Sequence, residues 1–370
     1  MGKIDKVKLG IVGLGRGGMV AEICARLPNF EITVMCDINP WQIEDAKRML
    51  RRSNVNYDNI FFTDDYDELL RSDCNAVYVA TYANLHVPFV IKALEAGKHV
   101  ISEIPAVNSL EEAKELRRAV KKHPHLKYMA GENCNYWAFI QAWKQLYEEG
   151  RLGEAVFAEA EYLHSQDFRE IQPPEDPNHW RLYNPAIHYI THELGPLLYI
   201  TGDRCVSVCC MQPSQVYNPY HKQPMNEVAI FKMASGAVFK INIIFDAYLG
   251  FDHNFRIIGT RGTIETDRTK PLEEAHSFAI FSDTPGTREK KLEIPVTMVF
   301  PGEEIVRNGH GRADIEMMAA FVDCIINDKP SPIDVDMGIR MALPGIYAHM
   351  STLQGGMPVE IPDPADFDKE

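Results

Sequence analysis

The sequence contains no apolar run long enough to span a bilayer, which excludes a helical membrane protein and leaves no membrane partner to expect. Positive charge is in short supply: 38 Lys and Arg stand against 52 Asp and Glu, a net charge of −14. So acidic a chain repels phosphate backbones and anionic surfaces, so nucleic acid is not an expected partner. Cysteine is sparse, with 8 in 370 residues and no C-x-x-C pair. Adjacent Cys209 and Cys210 are poorly placed to pair with each other. This argues against a disulfide framework or a thiolate zinc site, and suits reduced, buried thiols in a cytoplasmic protein. A secretory leader is not expected either: Met1 to Lys6 is polar and leads straight into an apolar strand. Internal repeats and low-complexity segments are also lacking.

What is present begins at that strand. Val7 to Val12 runs into Gly13-Leu14-Gly15-Arg16-Gly17-Gly18, and Gly13, Gly15 and Gly18 have the G-x-G-x-x-G spacing. A helical stretch, Met19 to Leu27, follows. A second apolar strand, Phe30 to Cys36, ends on Asp37. The first glycine permits the tight turn, the second lets backbone approach a pyrophosphate, and the third lets helix pack on strand. The helix N-terminus offers N–H groups and partial positive charge to the phosphates. Asp37 lies about 20 residues beyond the turn, where a carboxylate accepts ribose hydroxyls and repels a 2′-phosphate. The expected cofactor is therefore NAD rather than NADP. The alternative for Asp37 is a helix cap ahead of Asn39-Pro40.

Strands and helices alternate through the first third. Helices are expected at Asn39–Ser53, His86–Ala96 and from the capping box at Ser109 to Lys122, with Gly97 as a C-terminal cap. Strands are expected at Ala76–Ala80, Lys98–Ile104 and Leu126–Ala130. Strands that are apolar throughout and separated by helices imply a parallel sheet covered on both faces. After Gly150 seven strands follow with few helices between them, from Ala155–Leu163 to Phe278–Ser282, and Ser235-Gly236 and Arg261-Gly262 read as hairpin turns. That sheet is expected to be mostly antiparallel. Helices return at Ala313–Asn327 and Asp336–Leu353, and the acidic, Pro-rich tail is expected to run over the surface. The fold class is thus α/β, with a doubly wound parallel sheet of Rossmann type over residues 1–135. Residues 136–370 form an α+β domain for substrate and oligomerisation, and the C-terminal helices are candidates to pack back on the first domain.

Ligands of open parallel sheets bind beyond the carboxyl ends of the strands. The residues there are Gly13, Gly15, Arg16, Gly18, Asp37, Thr81, His86, Glu103, Pro105 and Asn133. A second set lies in the other domain. Tyr162 and His164 alternate with Leu163 on one strand and share a face. His188, Tyr189 and His192 precede Leu194-Gly195-Pro196, and His188 and His192 share a helix face if that segment is helical. Trp180-Arg181 sits in a polar, Pro-rich loop suited to a lid over substrate. Oxidising a hydroxyl needs a base for the O–H proton while hydride leaves carbon, and histidine titrates in the right range. A competing reading makes Tyr162 a strand aromatic that fills the core and His188 a structural residue. His188 and His192 with Glu193 also suggest a divalent metal, but no third ligand has diagnostic spacing, so no metal is expected.

These stretches resemble the Gfo/Idh/MocA family of NAD(P)-dependent sugar oxidoreductases. GLGRGG at 13–18, ALEAGKHVISEIP at 93–105 and IIGTRGTIET at 257–266 carry the likeness, which extends from Val7 to about Pro362. The resemblance implies a Rossmann domain followed by an open antiparallel sheet whose outer face mediates homodimers or homotetramers. The family's E-K-P lysine is replaced by Ile104, and its D-x-x-x-H pair reads His188 and His192. These departures are similar to one branch, the NAD-dependent α-N-acetylgalactosaminidases and their relatives. Glu103-Ile104-Pro105-Ala106, Glu132 to Tyr136, Tyr162-Leu163-His164 and Tyr189 to Pro196 match that branch. By this resemblance Tyr162, His164, Tyr189 and His192 line a sugar site, with His192 as acid/base, and Trp180, Arg181 and His188 add substrate contacts. The function implied is NAD-dependent hydride transfer to or from a ring carbon of a sugar or glycoside, C3 first. The alternatives are a redox-neutral glycosidase on the same site and a non-catalytic NAD-binding regulator.

Overall fold

The computed structural model describes residues 5–164, 180–217, 219, 221–247, 250–269, 276–294 and 313–369, with Arg181 described in its backbone alone. The chain divides into two compact units. One comprises Met1–Glu132 with Asp314–Ile339, the other Asn133–Ala313 with Arg340–Glu370.

The first unit alternates β1 (Val7–Val12), α1 (Leu14–Cys24), β2 (Phe30–Cys36), α2 (Pro40–Arg52), β3 (Phe61–Thr63), α3 (Tyr66–Arg71), β4 (Ala76–Val79), α4 (His86–Glu95), β5 (His99–Ser102), α5 (Leu110–Lys122) and β6 (Tyr128–Ala130). Its strands form one parallel six-stranded sheet in the order β3-β2-β1-β4-β5-β6. This is the doubly wound order whose switch point lies beside β1. Every residue of β4 and β5 is buried, as expected of a sheet covered on both faces. The helix after β1 begins at Leu14, not Met19, because the glycine cluster is itself the first helical turn, with Gly13 as its N-cap. β3 and α3 went unseen in the sequence: three and six residues are too short to carry a period. Ser109 caps α5, its Oγ accepting the Glu112 N–H at 3.0 Å.

In the second unit α6 (Ala138–Glu148) precedes β7 (Ala155–Leu163), α7 (Thr191–Thr201), β8 (Cys205–Met211), β9 (Asn226–Met233), β10 (Val238–Ile244), β11 (Asp252–Gly259), β12 (Gly262–Thr266), β13 (Ser277–Phe281) and β14 (Leu292–Ile294). Helix α8 (Ala313–Ile326) falls in the first unit from Asp314 on, while α9 (Val335–Leu353) from Arg340 on and the short β15 (Val359–Glu360) belong to the second. Nine strands form a sheet in the order β14-β13-β12-β11-β7-β10-β9-β8-β15. Its pairings are antiparallel except β7 with β10. β9 alternates strictly, burying Ala229, Phe231 and Met233 and exposing Val228, Ile230 and Lys232. Period-two alternation is the mark of a sheet with one face covered.

Two expectations are corrected here. The tail does not simply cross the surface: β15 pairs with β8, and the nearly buried Asp363 joins Arg340 at 2.9 Å and Arg204 at 2.8 Å. The hairpin between β11 and β12 turns at Thr260-Arg261, and Gly262 already belongs to β12. Among the described residues no helix is long and apolar enough to cross a membrane. All eight cysteines are free, and seven are buried.

Candidate active site

The cofactor cradle is built from the loops at the carboxyl ends of β1, β2, β4 and β5. Gly13 has φ +86°, and a Cβ there would lie 2.3 Å from the Ala80 carbonyl oxygen, so only glycine fits. Gly15 differs: an added Cβ would meet only the Gln42 side chain at 3.8 Å, leaving its backbone open to a diphosphate. The close approach of helix to strand falls to Gly17, whose Cβ would sit 2.6 Å from Ile11 Cγ2. Gly18, given that role from spacing, faces α2 at Ala46 and Met49 instead. Asn39 caps α2 and accepts the Trp41 N–H, so the expected α2 cap does not explain Asp37. The Asp37 carboxylate accepts the Leu14 N–H at 2.7 Å and the Asn39 N–H at 2.8 Å, which fixes it beside the glycine turn. Carboxylate oxygens have further lone pairs for ribose hydroxyls. The open Gly15 backbone and the anchored Asp37 fit an NAD molecule.

Arg16 and Glu103 do not act as separate contacts. Arg16 Nε donates to Glu103 at 2.8 Å and its Nη2 to the fully buried Asp314 at 2.5 Å. The Tyr78 hydroxyl also bonds Glu103. Burial opposes the Arg16 charge, but Glu103, Tyr78 and Asp314 outweigh it and hold the guanidinium protonated well above its ordinary range. Two carboxylates against one guanidinium leave little cationic character for phosphates. His86 is likewise a brace: its Nδ1 lies 3.0 Å from the Pro105 carbonyl oxygen and its Nε2 3.1 Å from that of Thr81. It ties the β4 and β5 loops together, and burial lowers its pKa. Pro105 follows a cis peptide bond. The Thr81 hydroxyl reaches the Tyr82 carbonyl at 3.5 Å.

The second unit gathers an aromatic and imidazole cluster. Tyr162 near the end of β7 is buried, and its ring lies 5.7 Å from both His164 and His192. His192 sits in the first turn of α7, and its Nδ1 lies 3.1 Å from Cys134 Sγ. Tyr189 contacts Phe245 at 5.7 Å and stacks beside Trp180 at 6.2 Å. The structure thus brings together Tyr162, His164 and His192, with Tyr189 and Trp180 joined to them through Phe245.

His188 goes elsewhere. It lies in a separate short helical turn, Ala186–Tyr189, and Ile190 intervenes before α7, so it shares no helix face with His192. Its Nδ1 is 3.1 Å from Asn184 Oδ1, and its ring faces His349 at 5.9 Å. Burial first, then His349, pushes its pKa down to about 3. It is therefore held neutral. The Arg181 side chain and the Pro-rich lid at 165–179 lie outside the described residues. Asn133 opens a turn, Asn133–Tyr136, in the second unit, where its Oδ1 meets Cys134 Sγ at 3.5 Å.

His253 was missed from sequence. It faces Tyr162 across the β7–β11 pairing, with ring centroids 4.2 Å and planes 23° apart. Its Nδ1 lies 2.6 Å from the Glu193 carboxylate, and both residues are buried. β11 begins at Asp252, so His253 belongs to the strand and is buried on it. Four imidazole or phenol groups over aromatic walls can hydrogen-bond several hydroxyls of one polyol while stacking against its carbon faces.

Sequence comparison decides the lineage. Residues 7–131 match the Gfo/Idh/MocA oxidoreductase family profile for an NAD-binding Rossmann fold, and residues 140–265 match the GFO/IDH/MocA C-terminal domain. The chain belongs to the Gfo/Idh/MocA family. Among its curated relatives is Glycosyl hydrolase family 109 protein 1 of Bacteroides thetaiotaomicron, 26% identical and aligned over 98% of this chain and 85% of the relative. Alpha-N-acetylgalactosaminidase of Bacteroides fragilis is also 26% identical, over 97% of this chain and 92% of its own. Among solved structures, levoglucosan dehydrogenase in complex with NADH and levoglucosan superposes with TM-score 0.80 at 21% identity, covering 97% of this chain and 100% of the other. Scyllo-inositol dehydrogenase of Lactobacillus casei with NAD(H) and scyllo-inositol gives 0.72 at 18%, covering 96% and 99%. This Gfo/Idh/MocA protein therefore has the family's Rossmann domain, and NAD is its cofactor.

Proposed function

We propose that this protein is an NAD-dependent enzyme that moves hydride to or from a ring carbon of a sugar or glycoside, with C3 as the reacting carbon. The observation that carries this reading is the Tyr162–His164–His192–His253 cluster, a set of polar rings enclosed by Phe245 and Phe251. His192 takes the hydroxyl proton, and the other rings hold the neighbouring hydroxyls. When bound, NAD supplies the hydride acceptor. Because Ile104 stands where the family carries lysine, the proton chemistry falls to His192 and Tyr162. Asp37 supports a preference for NAD over NADP.

A second reading is favoured by the full-length similarity to an α-N-acetylgalactosaminidase. Oxidation at C3 acidifies the C2 proton. Its removal expels the C1 substituent, water adds, and return of the hydride leaves the cofactor unchanged. Both readings share the first step. A homodimer or homotetramer formed through the outer face of the nine-stranded sheet belongs to the same proposal, supported by exposed Val228, Ile230 and Val238. A cytoplasmic location also fits.

The test is His192→Ala. Turnover should fall by about a hundredfold to ten-thousandfold, the worth of a positioned acid/base group, with folding and NAD affinity retained. If His192→Ala kept near-normal turnover while Tyr162→Phe abolished it, Tyr162 would be the base. A protein inert toward every sugar and glycoside, yet binding NAD, would favour a non-catalytic regulator.

A further inference from the structure

A histidine acts as a base only through a nitrogen that bears a lone pair, and its tautomer is set by what the other nitrogen meets. In His192 the nitrogen Nδ1 meets Cys134 Sγ at 3.1 Å. A thiol both donates and accepts, so this contact alone allows two arrangements. Either S–H donates to Nδ1 and the ring proton sits on Nε2, or Nδ1–H donates to sulfur and Nε2 keeps the lone pair. The first makes neutral His192 an acid at Nε2, and the second makes it a base there.

The next residue favours the second. Cys134 Sγ lies 3.5 Å from Asn133 Oδ1. An amide oxygen only accepts, so a thiol proton given to Asn133 leaves sulfur as the acceptor toward His192. All three groups are buried, Cys134 completely, so water does not compete for the thiol. The turn Asn133–Tyr136 places the amide and thiol in succession, and this turn packs on α7, whose first turn carries His192.

We propose that Asn133 and Cys134 form a relay, His192 Nδ1–H to Cys134 Sγ–H to Asn133 Oδ1, that holds His192 in its base tautomer. Cys134 is thus a positioning residue for the oxidation direction. When the substrate O–H bond breaks, its proton bonds to Nε2, and the imidazolium keeps its Nδ1–H on sulfur without any ring or thiol having to turn. In the reverse direction the same Nε2–H returns the proton to the nascent alkoxide. This inference rests on His192 acting on the substrate hydroxyl, as proposed above.

The experiment uses the full chain loaded with NAD and no sugar, labelled with 15N in histidine. The His192 signals are assigned by their loss in His192→Gln. The account predicts a proton on Nδ1 and a bare Nε2. A proton on Nε2 in the native protein would overturn it, and that measurement needs no altered thiol. Cys134→Ala should move the proton toward Nε2 and lower kcat by about 10- to 100-fold, the scale on which an imidazole's orienting partner counts, with KM little changed. Cys134→Ser, which still donates and accepts, should restore the tautomer and most of kcat. A Cys134→Ala protein with native tautomer and native kcat would contradict the relay. A native protein with the Nδ1 proton but no turnover of any sugar would leave the relay standing and overturn the functional reading instead.

Discussion

Two glycines separated only by Leu14 should fail in opposite ways when each gains one methyl group. At Gly13 the backbone has φ +86°, which costs an alanine about 1–2 kcal/mol. The new Cβ would also lie 2.3 Å from the Ala80 oxygen and 2.5 Å from its carbon. That carbonyl cannot retreat easily, because the Ala80 N–H is bonded to Val12 at 2.8 Å. Forcing it aside adds about 1–3 kcal/mol, the usual cost of overpacking. Gly13→Ala should therefore lose about 2–5 kcal/mol of stability before any cofactor is added. At Gly15 the residue is helical and its Cβ would meet only Gln42 at 3.8 Å. Alanine is the better helix former there, so stability should hold or rise by up to about 1 kcal/mol. The same methyl fills the space a diphosphate would occupy, and NAD affinity should drop at least about tenfold, or about 1.4 kcal/mol. Urea unfolding of the cofactor-free proteins and calorimetric titration with NAD separate the two effects. Native NAD affinity in Gly15→Ala would refute the cradle, and native stability in Gly13→Ala would refute the turn geometry.

Asp37→Ser should raise NADP affinity relative to NAD, since it removes the charge that opposes a 2′-phosphate; equal NADP binding by the native protein, measured by titration, would sink that assignment. Acid should weaken the fold through neutral buried histidines. Burial, then Lys127, holds His99 down to about 4, and His188 is pulled the same way. Unfolded histidine titrates near 6.5, so the unfolded chain binds more protons between about pH 6.5 and pH 4. Their contribution is complete above about pH 6.5 and shrinks as pH falls, by about 3 kcal/mol at pH 4 for His99 alone. Urea midpoints measured at pH 8 and pH 4.5 should differ in that direction, and His99→Gln should narrow the gap; a midpoint independent of pH would contradict it.

Much of the first unit was legible because its signals are local. Glycine spacing, the Ser109 cap and fully apolar strands each report their own backbone. The role of Gly17 was not legible, since packing against Ile11 depends on how α1 lies across β1, which spacing does not encode. The short β3 and α3 carried too few residues to reveal a period. In the second unit, alternation placed Tyr162 and His164 on one face. The partnership of Tyr162 with His253 depends on strands far apart in sequence, and that of His192 with Cys134 on a turn distant from α7. Arg16 is an instructive case. Its place in the glycine turn made it a cofactor-site candidate, but the carboxylates that pair with it come from Glu103 and, nearly the whole chain away, Asp314.

The central claim is hydride transfer from a ring carbon of a sugar, and the most direct measurement follows the isotope. The native protein with NAD is offered a panel of sugars and aryl glycosides carrying deuterium at C3, with NADH absorbance, aglycone release and deuterium in the reduced cofactor read together. The account predicts that deuterium appears on the nicotinamide ring, or, for a redox-neutral cycle, that aglycone release slows when C3 carries deuterium. Turnover with no deuterium transfer and no slowing would contradict it.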